Sequence, residues 1–175
     1  MVDAACVVGT EASAERRLTV TRFGAEEAVL VPAGDVLIFP EGIVGMEELR
    51  EFVLLDDARI APCRWLQSLD EPAIAFVVVA PQLLVPAYTV EVSEADARQL
   101  RLADPAGAEV WTIVTVHPEP ERSTVNLLAP VIVNRAGRRG KQVLLQESGY
   151  PVRYPIVPAG AGAVEQAASA GEVER

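Results

Sequence analysis

The sequence has few of the side chains on which enzymes and metalloproteins most often depend. It contains one histidine, His117, and two cysteines, Cys6 and Cys63. Two lone cysteines cannot form a tetrahedral thiolate zinc site. A catalytic site in which a histidine activates a nucleophile could use only His117. Pro118 and Glu119-Pro120 follow that histidine and favour an exposed turn. We therefore expect no catalytic residues, no metal site and no cofactor, and the cysteine count fits a reducing compartment.

Basic charge and long apolar runs are also scarce. The chain has 15 basic and 25 acidic residues, a net charge of −10. A surface of this sign repels nucleic acid and attracts basic proteins, so we expect no direct nucleic-acid binding. The longest apolar run, 73–80, is far shorter than the roughly 20 residues that a membrane helix needs. Asp3 stands where a signal peptide would be basic, so we expect no membrane contact and a cytoplasmic protein.

The chain does contain one stretch with the composition of a globular domain. It lies between two ends whose amino-acid composition is biased. Half of the residues are apolar, and 175 residues suit a single domain. Residues 1–17 lack a sustained apolar period and predict a flexible N-terminal arm, and residues 158–175 predict a disordered tail rich in Ala and Gly. The domain is predicted over 18–157.

Within that domain, short apolar or alternating runs end at Pro, Gly or Asp and predict strands. The predicted strands are 18–23, 28–31, 36–39, 51–55, 64–68, 74–79, 88–92, 110–116, 124–128, 131–134 and 142–145. Ser93 followed by Asp96 resembles a capping box and predicts a helix over 94–101, and a second helical turn is predicted at 46–49. The fold class is mainly β: a small single-domain barrel-like fold of short antiparallel strands with one or two short helices.

Two sequence features could carry chemistry. Acidic pairs at 47–48, 56–57 and 70–71 could serve acid–base catalysis, but they are equally typical of turns and solvated faces. The stretch 135–141 holds four of the domain's twelve basic residues. It lacks the glycine spacing of a phosphate-binding loop. A basic hairpin tip and a contact with an anionic group both remain open for it.

Four segments of the domain resemble, in order, the flagellar assembly factor family, FliW. They are Phe39–Glu47, Arg64–Pro72, Thr124–Asn134 and the stretch that begins Gly140-Lys141-Gln142-Val143. Two departures from the family pattern are Met46, where Phe is usual, and Cys63, where an aromatic residue is common. Both predict modest changes in the core.

The resemblance implies a non-enzymatic regulatory protein with two protein partners. The resemblance implies that this protein, like members of the family, binds flagellin in the cytoplasm before export. They also bind the translational regulator CsrA and relieve its repression of flagellin mRNA. The family's fold is a small β-barrel-like domain, which agrees with the strand pattern.

The resemblance assigns no contact residues, so we predict them from charge. An acidic rim is a normal docking surface for a basic partner such as CsrA. The candidate partner-binding residues are the acidic positions near the first two segments: Glu41, Glu47, Glu48, Asp56, Asp57, Asp70 and Glu71. Two asparagines at strand ends, Asn126 and Asn134, are predicted to hold turns instead.

Two alternatives are left by the residues alone. Val-rich strands with Trp65 and Trp111 are also consistent with a small-molecule-binding β-barrel that has no enzymatic activity. A hydrolase would have to use the acidic pairs at 56–57 or 70–71, and no histidine or metal-ligand pattern accompanies them.

Overall fold

The computed structural model describes residues 15–156. Glu15–Arg17, which were predicted as part of the N-terminal arm, belong instead to the first strand. The other residues of that arm, and the predicted C-terminal tail, lie outside the described residues.

Eleven strands and one α-helix make up the regular structure of the described chain. The strands are β1 (Glu15–Arg22), β2 (Ala25–Pro32), β3 (Leu37–Ile38), β4 (Glu51–Asp56), β5 (Arg64–Ser68), β6 (Ala75–Val79), β7 (Glu109–Thr115), β8 (Thr124–Val125), β9 (Val131–Asn134), β10 (Arg139–Gln142) and β11 (Tyr154–Pro155). The helix is α1 (Glu94–Leu100). Short 3-10 turns occupy Ala33–Asp35, Ala58–Ile60, Pro81–Leu83, Pro105–Gly107 and Pro120–Arg122.

Seven of the strands close into a barrel. The order around the ring is β7-β6-β5-β4-β3-β10-β9, and β9 pairs again with β7. All neighbours are antiparallel except β3 and β10, which pair in parallel at Ile38 and Arg139. An odd number of strands cannot alternate in direction around a ring, so one parallel pair is required. The mainly β, barrel-like fold predicted from the sequence is confirmed.

Side chains fill the barrel interior. The inner faces contribute Phe39, Phe52, Leu66, Val78 and Val131, each less than 2 % exposed. Phe39 and Phe52 pack with ring centroids 4.8 Å apart. Gly140 on β10 permits this packing, because a Cβ there would lie 2.2 Å from the Phe39 ring. A small ring of strands holds a packed core of this kind and not a channel.

The hairpin of β1 and β2 covers one outer face of the barrel. Residues alternate across a strand, so β4 directs Phe52 and Leu54 inward while Val53 packs outward against Leu18, Val20 and Val31 of the hairpin. The two hairpin strands pair over their full eight residues. β4 is therefore covered on both faces.

The opposite outer face is covered by irregular chain and α1. Tyr88 is buried there, and its hydroxyl donates to the carbonyl of Leu127 at 2.7 Å. The strand predicted at 88–92 is wrong. The burial of the segment alternates, but the segment pairs with no strand of the described chain. Side-chain alternation reports which residues face a core and does not require a backbone ladder.

Local signals placed the remaining elements well. Ser93 caps α1 as predicted, since its Oγ accepts from the backbone N–H of Asp96 at 3.1 Å. The helix ends where Arg101 adopts a left-handed backbone with φ of 55°. The second helical turn predicted at 46–49 is a single hydrogen-bonded turn from the Leu49 N–H to the Met46 carbonyl. The strand predicted at 142–145 lies earlier, at Arg139–Gln142.

Candidate functional site

The predicted partner-binding residues divide into two groups at opposite ends of β4. Five of them lie where the chain enters the strand: Glu41, Glu47, Glu48, Asp70 and Glu71. The other two, Asp56 and Asp57, lie where β4 ends. The strand is six residues long, so the two groups are separated by roughly 17 Å. The seven residues do not form one site.

The first group surrounds a tight turn. Ile43 and Met46 form an isolated bridge that closes around Val44 and Gly45. Gly42 has a φ of +69°, and a Cβ on it would lie 2.7 Å from the Cα of Glu47, so this position requires glycine. This close approach of the backbone at Gly42 to that of Glu47 places the chain segments that carry Glu41 and Glu47 next to each other. Val44 at the tip is 77 % exposed.

Asp70 ties this turn to the β5–β6 corner. Its Oδ2 accepts from the backbone N–H groups of Arg50 at 2.6 Å and Glu51 at 2.8 Å. The Arg50 guanidinium in turn donates to the carbonyl of Pro40. We name this surface the acidic tip and define it as Glu41, Val44, Glu47, Glu48, Asp70 and Glu71.

Most carboxylates of the acidic tip have no cationic partner among the described residues. Glu47 accepts from the Gly45 N–H at 2.8 Å, which holds its pKa below the ordinary value. Glu71 accepts only from the Ala73 N–H, and Glu48 is exposed. Backbone donors orient these groups without forming ion pairs with them. The charge of Arg50 acts on Glu47 but forms no ion pair among the described residues, so the tip keeps a net negative charge beside an exposed valine.

Glu41 is the exception within the tip. It accepts from the side chain of Gln99 at 2.8 Å, and Lys141 lies 3.2 Å from its other oxygen. These two contacts lower its pKa. Lys141 also pairs with Asp96 at 2.8 Å. Burial lowers the pKa of Lys141, but the contacts with Asp96 and Glu41 outweigh that effect and raise it. The network joins the tip to α1 and β10.

The second group is built differently. Asp57 accepts from three groups of Arg59 and from Trp65 Nε1 at 3.0 Å, and its side chain is only 7 % exposed. The hydrogen bonds from Arg59 are the largest cause of a strongly lowered pKa for Asp57. Arg59 also pairs with Glu27 at 2.6 Å and lies over the ring of Phe23. This group is therefore neutralised within the fold.

We name the residues around Asp57 the hairpin cluster and define it as Arg22, Phe23, Glu27, Asp57, Arg59 and Trp65. The guanidinium of Arg22 lies 5.0 Å from the Trp65 ring and donates to Gln67 beneath it. Phe23 stands at the hairpin turn with φ of 51° and is 63 % exposed. Asp56, next to the cluster, is 83 % exposed and pairs with Arg64 at 2.7 Å.

Sequence reasoning missed the two exposed apolar side chains at the turns, Val44 and Phe23. Val44 had one available signal, a β-branched residue immediately before a turn glycine. The two asparagines behave as predicted. Asn126 accepts from the N–H groups of Leu128 and Ala129, and Asn134 donates to the carbonyls of Leu100 and Arg101.

Other candidate chemistry is weak in the part of the chain that the structure describes. His117 accepts from the Glu119 N–H at Nδ1 and so holds its own turn. Residues 15–156 contain no group of three His, Cys, Asp or Glu side chains placed to hold a metal ion. Within the same range, no helix has the length and apolar character needed to cross a membrane.

Comparisons with known proteins agree with this architecture. The family model described as FliW protein matches residues 18–156. The flagellar assembly factor FliW of Bdellovibrio bacteriovorus is 40% identical over 139 residues, which are 79% of this chain and 78% of that protein. The flagellar assembly factor FliW of Syntrophus aciditrophicus is 36% identical over 141 residues, 81% of this chain and 87% of that protein.

A solved structure gives the same answer for the fold. A crystal structure of the flagellar assembly factor FliW matches with a TM-score of 0.74 and 29% sequence identity, and the match covers 82% of this chain and 98% of that one. The family model spans the whole barrel together with most of the hairpin that covers it. The chain belongs to the FliW family of flagellar assembly factors.

Proposed function

We propose that this flagellar assembly factor binds flagellin in the cytoplasm and also binds the translational regulator CsrA, and that binding CsrA relieves repression of flagellin mRNA translation. In this scheme the protein acts by binding its protein partners and catalyses no reaction. Export of flagellin frees the assembly factor, which then takes up CsrA.

The acidic tip is the observation that carries the CsrA half of the proposal. CsrA is an RNA-binding protein and so presents basic surface. Four of the five carboxylates of the tip form no ion pair among the described residues, and they lie around an exposed valine. Such a patch steers a basic partner at low ionic strength and places an apolar contact at its centre. The hairpin cluster lacks the first of these properties, because its carboxylates are already paired with Arg59.

The first experiment measures complex formation directly. The purified protein is run on size-exclusion chromatography with light scattering, alone and mixed with CsrA and then with flagellin from the same organism. We expect a co-eluting complex with each partner, and displacement of one by the other. Elution of all three proteins as separate species in low salt would rule the proposal out.

Charge reversal then locates the CsrA contact. The double variant Glu48→Lys and Glu71→Lys should weaken CsrA binding by roughly tenfold or more at low salt and flatten its salt dependence. The matched control is Asp35→Lys with Glu121→Lys, which reverses two exposed carboxylates elsewhere. Equal losses in both variants would indicate a general charge effect and not a contact at the tip.

A further inference from the structure

A basic groove lies on a part of the surface that the proposed function does not use. A cavity of about 500 Å³ opens between the start of β1, the strand β3 and the turn that joins β9 to β10. Its floor is apolar and consists of Ala33, Val36 and Ile38. We name it the arginine groove, because four arginines line it: Arg16, Arg101, Arg138 and Arg139. The carboxylates of Glu15 and Glu51 also belong to its lining.

Three of these arginines have no carboxylate partner among the described residues. Arg16 pairs with Glu51 at 2.6 Å, whereas Arg101, Arg138 and Arg139 take part in none of the ion pairs of residues 15–156. Carboxylates are abundant in a chain with a net charge of −10. Glu15 is the one carboxylate of the lining outside these ion pairs, so three unpaired arginines face one unpaired carboxylate and the groove keeps a net positive charge within an acidic protein.

The backbone beneath the arginines is strained. Arg101 has a φ of 55° and Arg138 a φ of 50°, and only one other non-glycine residue of the described chain, Phe23, has a positive φ. A left-handed backbone costs free energy in any residue with a Cβ, and glycine would avoid this cost. Strain of this kind persists where the surrounding structure imposes it, and it is concentrated at functional sites.

Asn134 is the residue that imposes this arrangement. Its buried side chain donates to the carbonyls of Leu100 at 3.0 Å and Arg101 at 2.9 Å, and it accepts from the Gly137 N–H at 3.0 Å. One amide therefore joins the end of α1 to the β9–β10 turn and sets Arg101 beside Arg138. The Arg138 guanidinium donates to the carbonyl of Ala33 at 3.2 Å, which directs it over the apolar floor.

The chemistry of the groove selects its ligand. Guanidinium groups bind carboxylates in a two-point geometry, and the apolar floor suits an aliphatic side chain. The net negative charge of the whole protein repels a long polyanion such as RNA, but it tolerates a short segment with a few carboxylates. We propose that the arginine groove binds an acidic peptide segment of a partner protein, with carboxylates on Arg101, Arg138 and Arg139 and an aliphatic side chain on the floor.

Calorimetric titration of the full chain with a synthetic peptide tests the proposal. The probe is a blocked pentapeptide with a central leucine and two glutamates on each side, and the comparison peptide carries glutamines instead. At low salt we expect binding of the glutamate peptide only. The double variant Arg101→Gly and Arg138→Gly should weaken it by about tenfold or more. The variant Arg153→Gln, which removes an exposed arginine outside the groove, should keep the affinity of the parent.

Thermal unfolding of the same variants separates binding from folding. Glycine relieves the left-handed backbone at both positions, so the double variant should melt no earlier than the parent while losing the peptide. Should that variant fail to fold, Arg139→Gln supplies the same binding test from a strand position with ordinary backbone.

Three results would overturn the proposal. The first is equal affinity for the glutamate and glutamine peptides. The second is undiminished peptide binding by both groove variants. The third is tighter binding of inorganic phosphate or of a short RNA than of the glutamate peptide. None of these measurements involves CsrA or flagellin, so their outcome is independent of the complexes expected for the proposed function.

Discussion

The acidic tip and the hairpin cluster use the same residue type in opposite ways. Each places carboxylates at an end of β4, and each contains acidic residues that were predicted from the sequence as partner-binding positions. In the hairpin cluster, Arg59 and Trp65 satisfy Asp57 through four hydrogen bonds. At the acidic tip, backbone N–H groups orient Glu47 and Asp70, and neither carboxylate forms an ion pair among the described residues.

The difference shows that local acidity does not by itself identify a docking surface. What matters is whether the fold supplies a cation for each carboxylate. A neutralised cluster offers little charge to a partner. Carboxylates without an ion pair remain available for binding, even where one of them, Asp70, also holds the fold through backbone N–H groups. Three predictions test this division, beginning with the largest expected effect on stability.

The largest effect is expected beneath the hairpin cluster, at Gln67. Its buried amide donates to the carbonyls of Ser68, Pro72 and Ile74 and accepts from Arg22. The substitution Gln67→Ala leaves these buried groups without partners, so the free energy of unfolding should fall by about 3 kcal/mol. Urea denaturation measures the change. Gln82→Ala, at an exposed position, is the control and should be close to neutral.

An unchanged free energy of unfolding in Gln67→Ala would contradict this prediction. The Gln67 amide also holds the β5–β6 corner through the carbonyls of Pro72 and Ile74, and that corner carries Asp70 and Glu71 of the acidic tip. CsrA binding by the folded variant should therefore weaken as well, and the free energy of unfolding is the quantity that tests this residue.

An intermediate effect is expected at the acidic tip from Gly42→Ala. The new Cβ would meet the backbone of Met46 and Glu47 within 3 Å at a position with φ of +69°. We expect a loss of about 2 kcal/mol in unfolding free energy together with weaker CsrA binding, because the turn that carries Glu41, Val44 and Glu47 must shift. Gly34→Ala is the matched control, since a Cβ there has nothing within 4 Å. A stable Gly42→Ala variant with unchanged affinity would show that the turn geometry is unimportant.

These contrasts also explain which features the sequence could reveal. Strand periodicity and the Ser93 cap are local, so α1 and most barrel strands were predicted close to their observed bounds. The exception is β10, which was predicted at 142–145 and lies at Arg139–Gln142. Closure of the ring depends on one parallel pairing between Ile38 and Arg139, about a hundred residues apart in sequence, and no local pattern encodes it.

Contacts between distant parts of the chain also decide the character of the candidate site. The seven acidic residues were predicted from charge alone, but the neutralisation of Asp57 depends on a salt-bridge network that reaches Glu27 on the hairpin. The pairing of Glu41 with Lys141 joins residues a hundred positions apart. A single sequence shows where carboxylates occur and leaves their partners unspecified, because the partners come from elements that meet only in the folded chain.

The smallest expected effect on stability, and the sharpest separation of the two regions, lies in pH dependence. The pKa of Asp57 is held well below its ordinary value near 4, first by its hydrogen bonds from Arg59. A lowered folded pKa means that the carboxylate stabilises the protein above the unfolded pKa, and that this contribution is lost as the pH falls toward the folded pKa. The parent should therefore melt at a higher temperature than Asp57→Asn at pH 7, and this gap in melting temperature should narrow as the pH falls below about 4.

The control is Asp35→Asn, at an exposed carboxylate with no ion pair among the described residues. It should show little gap in melting temperature at any pH. Melting curves recorded by circular dichroism from pH 7 to pH 3 give both differences. If the gap for Asp57→Asn stayed constant with pH, the Asp57–Arg59 contact would contribute through packing and not through charge, and neutralisation within the fold would no longer distinguish the hairpin cluster from the acidic tip.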